Sequence, residues 1–167
     1  MKNYFQTFCS LLIIRLIVKS VLSLLNIVDR ICSNLKYRAL VKNCSDSMCH
    51  WSTEIKYPDN IIAGSKTRIG PNCTLGAKGN ITFGSNVVIS KQVIIETAGL
   101  NLSLGPPYNS HISKPITIED NVWVGTHSII LGGVTIGKNS IIGAGTVIVK
   151  DVPANSIIVG SGNRYLK

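Results

Sequence analysis

Apolar residues in the C-terminal third of the chain return every six positions, a period that neither a helix nor a single strand produces. An α-helix repeats near 3.6 residues, and a strand repeats every 2. The lead positions of these hexads are Ile118, Val124, Ile130, Ile136, Ile142, Ile148 and Ala154. The fifth position of each hexad is small or β-branched, and Gly follows several lead residues, which favours sharp turns at regular intervals.

The same pattern occurs upstream, in two blocks that a two-residue slip separates. Hexads begin at Ala63, Ile69, Leu75, Phe83, Ile89 and Ile95, and weaker ones at Trp51 and Tyr57 place Ile55 and Ile61 in the fifth slot. Residues 101–117 break the register and contain the turn-rich string GPPYNS, which predicts a loop.

A period of six fits a prism with three flat faces, in which each hexad supplies a short strand and a corner. Stacked coils pair their strands as any sheet does, at about 4.8 Å. A single coil cannot bury its own lead residues, so the coils must stack. The sequence therefore predicts an all-β parallel solenoid of about six coils, of which the first and last are ragged. An ordinary sandwich does not predict hexads locked in phase.

The first 44 residues follow another pattern and predict an amphipathic helical segment (1–44) ahead of the solenoid domain (45–167). One narrow polar stripe interrupts an apolar run, at Arg15, Lys19, Ser23, Asn26, Arg30 and Ser33. Two cations near its middle argue against a membrane span, and no small-residue cleavage site marks a signal peptide. The helix either lies in a membrane interface or packs its apolar face on protein. Both alternatives predict a cytoplasmic location, peripheral to the membrane in the first.

The charge distribution and the cysteine pattern bear on whether the protein binds nucleic acid or a metal. The net charge is +9, but residues 1–42 hold seven Lys or Arg against the single acid Asp29, which leaves +3 for the remainder. We find no nucleic-acid motif and expect no nucleic-acid partner. The five cysteines are odd in number and form no CxxC pair, which favours reduced thiols and no metal site.

The string from 115 to 160, PITIEDNVWVGTHSIILGGVTIGKNSIIGAGTVIVKDVPANSIIVG, resembles the hexapeptide-repeat acyltransferases. It is most similar to their galactoside, maltose and polysaccharide O-acetyltransferase branch, and the resemblance extends over roughly residues 50–167. It implies a left-handed parallel β-helix and a homotrimer with acetyl-CoA in a groove between neighbouring prisms. It also implies a histidine as general base on an acceptor hydroxyl that attacks the thioester directly, without a metal.

Several positions match the acetyl-CoA side of this family. The resemblance implies that Thr126 lies near the thioester and that the backbone of Ala144 contacts the pantetheine arm. It places Lys150 near the nucleotide end, and Arg164 and Lys167 at the phosphates, which attract cations. Trp123 matches a tryptophan near the acceptor.

The catalytic base departs from the family pattern. The histidine that follows a TAG-like string in relatives is replaced by Leu100, which cannot accept a proton. His111, in the interrupting loop, is our predicted base, because a loop can fold back over the acceptor end. His127, His50, Glu96 and a water-assisted site are the alternatives.

The predicted function is acetyl transfer from acetyl-CoA to a sugar hydroxyl, in the synthesis of a cell-surface polysaccharide or lipopolysaccharide. Three alternatives stay open. Leu100 favours a non-catalytic scaffold that has kept the coenzyme A groove. Serine or diaminopimelate-pathway acyltransferases share the fold. A zinc hydratase would need three converging histidines, and His50, His111 and His127 lack the close pair that such enzymes have.

Overall fold

A computed structural model describes residues 2–41, 46–107, 110–160 and 164–166; of these, the side chains of 2–10, Leu104 and 164–166 are not described. The chain divides into two compact units, Met1–Cys32 and Ser33–Lys167. The helix α1 (Lys2–Leu40) begins in the first unit and ends in the second. The helical segment was predicted over 1–44 from its polar stripe.

The second unit contains a parallel β-helix whose short strands form three sheets, as the hexad period predicts. The first face contains β1 (Met48–Cys49), β4 (Arg68–Ile69), β7 (Val88–Ile89), β12 (Trp123–Val124), β15 (Ile141–Ile142) and β17 (Ile157–Val159), with β18 (Arg164–Leu166) antiparallel to β17. The second face contains β2 (Glu54–Lys56), β5 (Thr74–Gly76), β8 (Ile94–Glu96), β13 (Ile129–Leu131) and β16 (Val147–Ile148). The third face contains β3 (Ile61–Ala63), β6 (Ile81–Phe83), β11 (Ile116–Ile118) and β14 (Thr135–Ile136). The predicted fold class, a left-handed parallel β-helix with an N-terminal helix, is confirmed.

The core consists of three columns of aliphatic side chains, one behind each face. The column behind the first face is typical: it stacks Cys49, Ile69, Ile89, Val124, Ile142 and Ile158, all buried. Small hydroxyl residues precede many strands and bond the turn above, as Thr67 Oγ1 does to Gly84 O at 2.8 Å and Ser128 Oγ to Gly143 O at 3.0 Å. At these two fifth hexad positions, a small hydroxyl residue fits at the corner and also satisfies a backbone carbonyl.

Asparagines form a second ladder outside the core, at the corner between the third and first faces. Asn86, Asn121, Asn139 and Asn155 all have φ between 57° and 60°. Asn121 Nδ2 donates to Asn139 Oδ1 at 3.0 Å, and Asn139 Nδ2 donates to Asn155 Oδ1 at 3.0 Å. Asparagine tolerates this left-handed conformation better than most residues, so it suits a corner that repeats in every turn.

In the described residues the β-helix has about five turns, and β17 begins a further one, which agrees with the expected six coils with ragged ends. Three predicted lead positions are wrong. Ala154 is exposed, and Val152 occupies its expected place, paired with Ile136. The weak leads Trp51 and Tyr57 are also exposed, whereas Ile55 pairs with Leu75 in the second column.

The predicted loop 101–117 lies too far toward the C-terminus at both of its ends. The third face resumes at Ile116, and the interruption is a two-stranded hairpin rather than an irregular loop. Its strands are β9 (Ala98–Leu100) and β10 (His111–Ser113). The hairpin therefore begins within the TAG string, before the position at which the hexad register visibly fails.

The end of α1 is fixed to the first turn of the β-helix. Lys36 Nζ donates to Trp51 O and Thr53 O, both at 2.7 Å, and Trp51 N–H donates to Ser33 Oγ at 3.0 Å. Tyr37 and Val41 are buried in the same core cluster. The last turns of the helix thus close the open end of the core.

Candidate active site

The hairpin pairs the predicted base, His111, with Leu100, the position at which the family resemblance implies a histidine. In the antiparallel pair β9–β10, His111 lies directly opposite Leu100. The neighbouring pair is hydrogen-bonded, since Asn101 N–H donates to Ser110 O at 2.9 Å. Because such pairs alternate, His111 and Leu100 form a non-hydrogen-bonded pair, in which side chains share a face and Cα atoms are about 4.5 Å apart.

His111 is thus in a strand, not in an irregular loop, and its side chain is exposed. Cβ atoms in a cross-strand pair of this kind lie about 4.5–5.5 Å apart. An imidazole on His111 therefore reaches the same region as one attached at position 100. Leu100 itself is 48% exposed, so an apolar side chain there is not required by the core.

A cavity of about 220 Å³ lies at the base of the hairpin. It is lined by Thr97, Ala98, Gly99, Leu100, Ile112, Lys114, Leu131 and Gly132. The walls are mainly apolar or backbone, with one cation. The cavity is smaller than the roughly 300–1,000 Å³ of drug-sized sites, so its size suits a single small ring. His111 does not line it but is the cross-strand neighbour of Leu100, which does.

Lys114 is a cavity residue that the sequence reasoning missed. Its backbone N–H donates to Thr97 O at 3.0 Å, which closes the hairpin. Its aliphatic stem lies over Gly133, where a Cβ would be 2.9 Å from Lys114 Cδ. The only sequence signal was the glycine pair 132–133, which leaves room for the lysine stem.

Glu96 is held at the start of the hairpin. Its Oε1 accepts from Ala98 N–H at 3.0 Å, and its carboxylate lies against Gly76 in the preceding turn. Thr97 Oγ1 is equally fixed, since it donates to Gly76 O at 2.7 Å and accepts from Gly79 N–H at 2.8 Å. These bonds fix the first strand of the hairpin to the β-helix.

The other two histidines lie elsewhere. His127 occupies a corner between the first and second faces with φ 59°, a conformation that the turn imposes. His50 lies in the first turn, where its Nδ1 is 2.8 Å from Ser52 Oγ. Neither belongs to the hairpin at the second–third corner. Across the described ranges, no three His, Cys, Asp or Glu side chains are grouped as a metal would need.

The predicted donor residues are divided between two corners of the prism. Thr126 and Ala144 stack in consecutive turns at the first–second corner, where Gly145 N–H donates to Thr126 O at 2.8 Å. Gly145 has φ 68° and open space around a Cβ, so a ligand can approach the backbone. Lys150 is exposed between β16 and Val152, on the second–third corner.

The remaining predicted residues are placed only in part. Trp123 is 55% exposed on the first face, and its Nε1–H donates to Ser90 Oγ at 3.1 Å. Arg164 belongs to β18, but its side chain lies outside the described residues, and so does all of Lys167. Within one chain the predicted base, His111, and the predicted donor residues Thr126 and Ala144 therefore lie at different corners of the prism.

Comparison with known proteins identifies the family. Residues 115–150 match the model of the bacterial transferase hexapeptide (six repeats). Galactoside O-acetyltransferase of Escherichia coli (strain K12) is 38% identical over 66% of this chain and 55% of its own. The chain spans about half the length of the first curated relatives it matches.

Solved structures agree with the sequence match. A hexapeptide-repeat acetyltransferase of Vibrio cholerae O1 biovar eltor, complexed with acetyl coenzyme A, has a TM-score of 0.74. It is 31% identical, over 78% of this chain and 73% of that one. A maltose O-acetyltransferase from Clostridium difficile 630 has a TM-score of 0.64 and 32% identity, over 78% of this chain and 71% of that one. The chain therefore belongs to the hexapeptide-repeat acetyltransferase family.

Proposed function

We propose that this protein transfers an acetyl group from acetyl-CoA to a hydroxyl of a sugar, with His111 as general base. The observation that carries the proposal is the pairing of His111 with Leu100, which puts an imidazole beside the position of the missing histidine. The family and the acetyl-CoA complex of a solved relative support the donor. The names of the galactoside and maltose relatives support a sugar acceptor.

The reaction needs one proton carrier. An imidazole nitrogen of His111 takes the proton of the acceptor hydroxyl as its oxygen attacks the thioester carbonyl carbon. The tetrahedral intermediate then collapses, the C–S bond breaks, and the coenzyme A sulfur leaves with the proton from the imidazolium. The ester forms without a metal or a covalent enzyme intermediate.

The donor side follows the corner that Thr126 and Ala144 form. Thr126 lies near the thioester, the backbone around Ala144 holds the pantetheine arm, and Gly145 leaves that backbone open. Lys150, Arg164 and Lys167 supply cations for the phosphates, which carry several negative charges. A homotrimer fits this division, since the base of one chain would meet the donor corner of its neighbour.

The acceptor side uses the cavity at the hairpin, together with Trp123. The cavity accommodates one sugar ring, and Lys114 in its wall favours a ring that carries an anionic substituent. An acidic or phosphorylated sugar of a cytoplasmic precursor of cell-surface polysaccharide or lipopolysaccharide has that chemistry. A panel in which neutral and anionic forms of the same sugar are compared tests this part.

The direct test measures thiol release from acetyl-CoA over a panel of sugars, nucleotide sugars and serine. His111→Asn should abolish most turnover, whereas the matched His127→Asn should not, because asparagine keeps the left-handed corner at that position. Turnover that survives His111→Asn would refute this base.

A second function has one observation in its favour. Leu100 removes the histidine of relatives, as a non-catalytic scaffold with a retained coenzyme A groove would. Acetyl-CoA binding without acetyl transfer to any member of the panel would support the scaffold. An ester product identified by mass would exclude it.

A further inference from the structure

The N-terminal part of α1 exposes an apolar surface that the rest of its compact unit does not cover. Every Leu, Ile and Val from 11 to 31 is between 48% and 62% exposed. Within Leu11–Leu40 the most apolar 18-residue stretch has a mean hydropathy of 2.2, and by length and composition this helix could cross a membrane. A helix that is apolar on most sides is covered by other protein or by lipid.

The distribution of charge distinguishes these two kinds of cover. Arg15 and Lys19 are exposed, and no acidic residue lies between Leu11 and Val28. Spacings of 4, 4, 3 and 4 put both cations on one stripe with Ser23, Asn26 and Arg30. An apolar face beside a stripe of cations without acids is complementary to a bilayer whose headgroups are anionic.

The same stripe sets the orientation. Residues 11–31 make a helix of about 31 Å, enough to cross the hydrocarbon core. A crossing would leave Lys19 close to the bilayer midplane, where cations are costly. In the plane of the interface, both long side chains reach the phosphates while the wide apolar face enters the acyl boundary.

We propose that residues 11–31 bind an anionic lipid bilayer as a helix lying in its interface, with Arg15 and Lys19 at the lipid phosphates. Residues 33–41 are bonded to the first turn of the β-helix through Lys36 and Ser33. The binding helix is thus continuous with the segment that closes the core. This placement is independent of the acetyl-transfer proposal and accounts for none of its steps.

The test uses the full chain and sedimentation with vesicles of phosphatidylcholine, with and without phosphatidylglycerol. Binding should require phosphatidylglycerol, and the double variant Arg15→Gln/Lys19→Gln should weaken it about thirtyfold. The matched double variant Arg38→Gln/Lys91→Gln removes the same charge from exposed sites elsewhere and should bind as the parent does. Equal binding to both kinds of vesicle, or equal loss in the two double variants, would overturn the proposal.

Two further measurements distinguish the proposed interfacial helix from a helix that spans the membrane and from one that packs on protein. In cell membranes, an alkaline carbonate wash should release the protein, because an interfacial helix is peripheral. Retention after that wash would show a span and overturn the in-plane orientation. Absence of vesicle binding by a protein that folds normally by circular dichroism would favour protein cover instead. Thiol release assayed in parallel keeps a failure of catalysis distinct from a failure of binding.

Discussion

The exchange of His111 and Leu100 tests the base through the register of the hairpin. His111→Leu removes the imidazole, and Leu100→His in the same chain restores one on the partner strand, where the family resemblance implies a histidine. The two residues form a non-hydrogen-bonded cross-strand pair, so their Cβ atoms lie about 4.5–5.5 Å apart on one face. Rotation of the imidazole spans that separation, so both positions reach the same acceptor hydroxyl.

General base catalysis contributes about 10²–10⁴-fold, so His111→Leu should lower kcat by that factor. This loss corresponds to about 3–5 kcal/mol of transition-state stabilisation. The exchanged variant should recover at least about tenfold of the loss. Recovery will be incomplete, because an error of about 1 Å in placement can itself cost a hundredfold.

The assay is the initial rate of thiol release at saturating acetyl-CoA, with kcat and KM determined separately. Removal of a base that acts in the transition state lowers kcat and leaves the KM for acetyl-CoA near its original value. A large rise in KM would instead indicate a binding role for His111. A wild-type kcat in His111→Leu would show that His111 is not the base, and an exchanged variant no faster than His111→Leu would show that the two positions do not reach the same hydroxyl.

Three further predictions concern the buried threonine hydroxyls, the buried Cys49 thiol and the asparagines at the corner. Thr146 Oγ1 is buried and has no hydrogen-bond partner within the described part of the chain, so Thr146→Val should raise the free energy of unfolding by about 1 kcal/mol. The control Thr67→Val loses a hydrogen bond to a backbone carbonyl and should lower the free energy of unfolding by about 1–2 kcal/mol. Denaturant titration of both variants measures these changes. Burial raises the pKa of the Cys49 thiol to about 12, so iodoacetamide near neutral pH should label the exposed Cys32 before Cys49. Labelling of Cys49 should rise only as the pH approaches about 12. Equal labelling of Cys32 and Cys49 near neutral pH, measured by peptide mapping, would contradict this prediction. The free energy of unfolding of Asn121→Ala should be about 1 kcal/mol lower than that of Asn121→Gly. Both variants lose the asparagine ladder at the corner, but alanine is disfavoured at φ 58° and glycine is not. Equal thermal stability of the two variants would show that the corner is unstrained.

The hexad period predicted the core because few other arrangements place one small apolar residue at every sixth position. It failed at the last turn, where Val152 takes the place expected for Ala154. Both residues are small and apolar, so the local pattern does not distinguish them. Backbone pairing decides: Val152 N–H donates to Thr135 O at 2.9 Å, and Gly137 N–H donates to Val152 O at 2.8 Å. The turn is therefore two residues shorter than the repeat.

The candidate site was predictable only in part. A histidine in the interrupting segment indicated a candidate base, and the family resemblance indicated candidate donor residues; both stay predictions. The opposition of His111 and Leu100 was not predictable, because antiparallel register depends on contacts between strands that ten residues separate. Lys114 was missed for a similar reason, since its packing on Gly133 joins segments from different turns.

In the proposed mechanism, a general base can be carried by either strand of the hairpin while the coils keep their repeat. Outward positions on a coil are fixed by the stacking of turns, whereas the hairpin is closed at its base by the hydrogen bond from Lys114 N–H to Thr97 O. A shift of one residue in an antiparallel pair turns every side chain to the other face. The register that the Thr97–Lys114 closure imposes therefore selects which of His111 and Ile112 shares the face of Leu100. Two strands share that face, so a proton acceptor on either one can serve the same hydroxyl.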